Sequence, residues 1–122
     1  MAVATLTPKT VNYEGVEAYS DTADYTAATA ADGFQFVNDG KTIVNIINAD
    51  DGELTATVDN PQPCDFGGTA VHDVEIAIPA ADDYLVGPFP KHRFNDENGK
   101  VTIRLTANSD VTDISACAYK LE

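Results

Sequence analysis

Thr42-Ile43-Val44-Asn45-Ile46-Ile47-Asn48, the turn Asp50-Asp51-Gly52, and then Glu53-Leu54-Thr55-Ala56-Thr57-Val58 decide the fold class of this chain. The first run is β-branched nearly throughout and reads as a central strand buried on both faces. The second alternates, with Leu54, Ala56 and Val58 on one face and Thr55 and Thr57 on the other. That is the period of a half-buried strand. Asp and Gly tolerate the positive φ of a tight turn, so the two runs are expected to pair as a hairpin.

The same punctuation recurs outward from this centre. Phe34-Gln35-Phe36-Val37 is a short strand closed by the turn signal Asn38-Asp39-Gly40. Downstream, Val71-His72-Asp73-Val74-Glu75-Ile76-Ala77-Ile78 alternates until Pro79 ends it. Asp83-Tyr84-Leu85-Val86 then leads into Gly87-Pro88-Phe89-Pro90, where proline lacks the ladder donor and bars a central strand. Val101-Thr102-Ile103-Arg104-Leu105 and Ile114-Ser115-Ala116-Cys117-Ala118-Tyr119-Lys120-Leu121 complete the series. About seven to eight short strands with turns about every 8–12 residues predict an all-β fold, an antiparallel β-sandwich of jelly-roll or immunoglobulin-like type. Residues 1–32 have a different texture, rich in Ala, Thr, Asp and Tyr, with one strand-like run, Ala2-Val3-Ala4-Thr5-Leu6. They carry too little large apolar surface for a core. The division expected is an N-terminal arm or strand-swapping segment over 1–32 and a sandwich domain over 33–122.

Charge narrows the function. The 122 residues hold twenty acidic and seven basic side chains, a net charge of −13. Nucleic-acid binders present clustered Lys and Arg, which are scattered singly here, so that class is excluded, and anionic membranes are disfavoured for the same reason. No apolar run approaches the ~18–20 residues of a membrane span, and the N-terminus lacks the pattern of a secretory signal. The chain reads as soluble and made in the cytoplasm. Fourteen of the acids are Asp. Such self-repulsion is nearly silenced in molar salt, where the Debye length falls to about 3 Å, and a halophilic source is expected.

Reactive constellations are absent from the pattern. His72 and His92 have no metal-ligand spacing, and His72 and Asp73, adjacent in a strand, point to opposite faces. No nucleophile elbow surrounds any of the three serines, Cys64 has no basic neighbour, and Gly67-Gly68 precedes no Lys-Ser or Lys-Thr. Asn95-Asp96-Glu97-Asn98-Gly99 is oxygen-rich but lacks EF-hand spacing, so a hairpin turn is preferred there to a calcium site. Cys117 reads as a small buried side chain, and a disulfide to Cys64 stays open. The expectation is no enzyme, no cofactor and no metal. What remains is binding. Gly87-Pro88-Phe89-Pro90-Lys91-His92-Arg93-Phe94 is where positive charge concentrates, and Phe89, Lys91 and Arg93 are candidate contacts for an acidic partner. The alternative there is a proline-bent corner with Phe89 and Phe94 in the core. Val3 and Leu6 of the arm are the other contact candidates.

Phe36-Val37-Asn38-Asp39-Gly40-Lys41-Thr42 leading into an Ile/Val strand, an alternating strand ended by Pro79-Ala80 and followed by Leu85-Val86-Gly87-Pro88-Phe89-Pro90, and a short hydrophobic C-terminal strand occur in this order. Over about residues 33–121 the chain thereby resembles the small all-β virion proteins of tailed bacterial and archaeal viruses. The resemblance implies a decoration, cement or turret protein on the outer capsid surface. Its partners would be the major capsid protein and itself, as a homo-oligomer with a trimer favoured over a pentamer. With the acidic composition it implies a virus of a halophilic archaeon. A carbohydrate- or receptor-binding sandwich of a viral tail or baseplate is the alternative, weakened by the absence of Trp for a sugar platform.

Overall fold

A computed structural model describes residues 3–15, 25–61, 73–106 and 113–121. Cys64 and His72, residues 20–24 of the run 20–31 and most of the loop 59–68 lie outside the described residues. The strands are β1 (Ala4–Thr5), β2 (Lys9–Val11), β3 (Thr26–Ala27), β4 (Phe34–Val37), β5 (Thr42–Asn48), β6 (Leu54–Val58), β7 (Val74–Ile78), β8 (Asp82–Val86), β9 (Lys100–Thr106) and β10 (Ile114–Leu121). One helical turn, α1 (Lys91–Phe94), lies between β8 and β9. No helix among the described residues is long and apolar enough to cross a membrane.

The strands form two five-stranded sheets packed face to face, an all-β sandwich. The first runs β1-β4-β9-β6-β7, and the second runs β2-β10-β5-β8 with β3 also on β10. The seven strands after residue 33 pair antiparallel throughout; β1 on β4 and β2 on β10 are parallel. Inward residues of both sheets interdigitate in one core, with Phe34, Phe36, Val44, Ile46, Leu54, Val58, Ile78, Val101, Ile103 and Ile114 fully buried. Each such side chain contributes about 1.5–3 kcal/mol, so the core outweighs any surface ion pair.

Two expectations about the central runs are corrected. The β5 strand buries Thr42, Val44, Ile46 and Asn48 on its inner face, while Ile43, Asn45 and Ile47 opposite are only half-buried. One face, not both, belongs to the core. Nor do β5 and β6 form a hairpin: β5 lies between β10 and β8, and β6 between β9 and β7, in the opposite sheet. The chain between them is an arch that crosses the core. Asn48, fully buried at the end of β5, directs it. Its Oδ1 accepts from Asp50 N (3.0 Å), and its Nδ2 donates toward the carbonyls of Gly52 (3.0 Å), Ile78 (3.0 Å) and Pro79 (3.2 Å). One side chain thus ties the arch leaving β5 to the arch leaving β7.

The N-terminal strands are built into both sheets of the same chain. On one side of the sandwich β1 lies along β4, with Ala4 N donating to Gly33 O and Leu6 N to Gln35 O, both 2.9 Å. The far edge of β10 is shared: β3 pairs with Ser115 and Ala116, and β2 pairs with Tyr119, Lys120 and Leu121. Ala4, Leu6 and Ala28 are buried by this addition. A segment of small residues needs little apolar surface of its own when backbone hydrogen bonds seat it on a preformed edge.

Candidate functional site

The basic segment after β8 is a pinned corner. Beyond the cis Gly87–Pro88 bond, Phe89 turns inward and Pro90 starts α1, its carbonyl accepting from Arg93 N and Phe94 N. Gly87 is required there: its φ is +117°, and a Cβ would lie 2.7 Å from Thr42 O. Phe89 packs on Phe36 (ring centroids 5.5 Å apart) and edge-on against Phe94 (6.0 Å). Asn38, buried in the turn after β4, donates through Nδ2 to Phe89 O (2.9 Å) and Asn95 Oδ1 (2.6 Å), while Asn95 Nδ2 donates back to Asn38 O (3.2 Å). This reciprocal amide pair fastens the corner to the β4–β5 turn. In that turn the Asp39 carboxyl is held below its usual range, chiefly by the Lys41 N–H it accepts (2.9 Å).

The five contact candidates therefore separate. Phe89 and Leu6, each 3% exposed, belong to the core and offer no surface in this fold. Burial of a phenyl ring contributes about 1.5–3 kcal/mol, so an aromatic that reaches the core stays there. Val3 is half-buried, and Lys91 and Arg93 are exposed on α1 beside His92. The Arg93 guanidinium lies 5.0 Å from the centroid of the Phe94 ring, a cation–π contact that orients it across the corner. Phe89→Ala is expected to lower the unfolding free energy by about 3–5 kcal/mol in urea titrations, and Lys91→Ala and Arg93→Ala by no more than about 1 kcal/mol.

Other groups singled out in the sequence take structural places. Asp96 Oδ1 accepts from Asn98 N (2.8 Å) and Lys100 N (3.0 Å), as in a side-chain-closed hairpin turn. Cys117 is a buried free thiol whose pKa is raised by burial, which disfavours the nucleophilic thiolate. Tyr25 lies over it, accepting from Asn45 Nδ2 (2.9 Å), and its phenol is pushed up to about 12, first by burial and then by Cys117. Among the described residues, no group of three or more His, Cys, Asp or Glu side chains is placed to hold a metal ion. Arg104 on β9 bridges Asp59 after β6 (2.5 Å) and Asp73 before β7 (3.0 Å), half-exposed and worth about 0–1 kcal/mol per pair.

Two features went unread in the sequence: the Asn48 staple and the exposed edge of β8. Asn48 shares the inward phase of Val44 and Ile46, but Ile43 and Ile47 give the opposite phase an equal apolar claim in the sequence, and its carbonyl partners come from distant parts of the chain. β8 was recognisable as a strand, and its place at a sheet edge was not. No protein-family model, curated protein or solved structure matches this chain.

Proposed function

We propose that this protein is a non-catalytic structural module that binds the outer surface of a tailed-virus capsid as a homo-oligomer, a trimer ahead of a pentamer, and stabilises the shell. The supporting observation is how its polar groups are distributed. The buried amides Asn38 and Asn48 hold corners and arches, whereas Asp39, Asp51, Glu53, Asp73, Glu75, Asp82, Asp83, Glu97 and Asp113 lie exposed. Such a body is stiff, stays soluble when crowded, and tolerates molar salt, which suits a halophilic virus. The sequence resemblance supplies the capsid as the surface.

Co-sedimentation in molar KCl tests this reading. The protein is expected to pellet with assembled shells, to raise their disruption temperature, and to ignore unassembled capsid subunits. Equal affinity for free subunits, or no binding to shells, would refute it.

A further inference from the structure

The two flanks of the sandwich differ. On one, the chain's own β1, β2 and β3 cover the edges of β4 and β10. On the other, the first sheet ends at β7 and the second at β8, and among the described residues β8 pairs with β5 alone. Its outer edge carries a row of backbone groups with no strand beside it among the described residues. Four of its five residues are exposed, including Leu85 at 72% and Tyr84 at 37%, and Val74 and Ile76 at the neighbouring rim of the core are only partly buried. Proteins usually protect such an edge with charged side chains, lysine above all, with proline or with a bulge. Here Asp82-Asp83-Tyr84-Leu85-Val86 runs in unbroken register against β5, without lysine or proline.

The charges say what fits. Neither β7 nor β8 carries a basic residue, and Glu75, Asp82 and Asp83 are exposed on them. A second copy fits poorly. Two β8 strands antiparallel about Tyr84 would set Asp83 of each against Leu85 of the other, and a parallel pair would stack aspartate beside aspartate. We propose that β8 is a docking edge for an extended segment of another protein, with Lys or Arg across from Asp82 and Asp83 and apolar residues across from Tyr84 and Leu85. Main-chain hydrogen bonds supply the addition; the two charges and the two apolar side chains set its register. The edge serves such a partner whether or not a viral shell presents it, so failure of capsid binding leaves this inference standing.

The probe is a blocked heptapeptide, Thr-Val-Ile-Val-Lys-Lys-Thr, and its counterpart with Glu in place of both Lys, added to the whole protein. Amide hydrogen exchange is expected to slow along Asp82–Val86 with the basic peptide and to stay unchanged along Ala4–Thr5. By fluorescence anisotropy the acidic peptide is expected to bind at least about tenfold more weakly. Leu85→Lys, at an exposed position, and the pair Asp82→Asn with Asp83→Asn should each weaken the basic peptide about three- to tenfold without lowering thermal stability. Equal binding of the two peptides, protection elsewhere than β8, or self-association through β8 that Leu85→Lys abolishes would overturn the proposal.

Discussion

Asn48→Asp is expected to lower the unfolding free energy by about 3–5 kcal/mol, and Asn48→Ala by about 2–4 kcal/mol, the costs of leaving buried carbonyls without donors. The Asn48 amide is the group that donates toward Gly52 O, Ile78 O and Pro79 O, and the whole side chain is buried. Alanine removes the donor and leaves a small void. Aspartate also brings acceptor oxygens against acceptor oxygens, which is why the near-isosteric change is the worse one. Urea unfolding followed by far-ultraviolet circular dichroism measures both. Asn98→Asp, on an exposed turn, should shift stability by no more than about 0.5 kcal/mol. An Asn48→Asp variant as stable as the parent would mean that the two arches are held by something other than this side chain.

Gly33→Ala is expected to cost about 3–5 kcal/mol, the sum of a left-handed backbone and an overpacked contact. Gly33 precedes β4, has φ of +77°, and its added Cβ would fall inside contact distance of the Ile103 carbonyl, a backbone atom that cannot rotate away. Its own carbonyl meanwhile receives Ala4 N, so β1 and β9 hold it from two sides. Gly99→Ala isolates the steric part. Its φ is +76°, but among the described residues a Cβ would meet only Asn95 Nδ2, at 4.0 Å. That variant should lose only the backbone preference, about 1–2 kcal/mol. Equal losses in the two variants would show that the close approach of β4 to β9 is not the deciding contact.

The corner after β8 shows where reading a sequence stops. In Gly87-Pro88-Phe89-Pro90 no alternation assigns a face, so Phe89 reads either as a presented anchor or as core. The choice fell to residues far away in the chain, Phe36 as its packing partner and Asn38 as the donor to its carbonyl. Lys91 and Arg93 were legible as exposed because charge with an unpaired head stays in water. Leu6 was not legible as buried, because its place depends on a hydrogen bond from its own N–H to Gln35 O rather than on any pattern within residues 1–32.

Side-chain alternation determined by itself that the chain is all-β and which residues of β6, β7 and β9 face inward, since the period of two is a local property of an extended backbone. In β5, where Ile43 and Ile47 match Val44 and Ile46, the packed sheets chose the inner face. Composition likewise set the net charge of −13. Only the tertiary structure decided which sheet each strand joins. Leu54, Ala56 and Val58 can face one core from either side of it, and a hairpin and an arch have the same inward pattern. The N-terminal strands on one flank and the open β8 edge on the other were decided in the same way. Backbone hydrogen bonds are chemically alike at every position, so partner choice emerges only when the whole core closes.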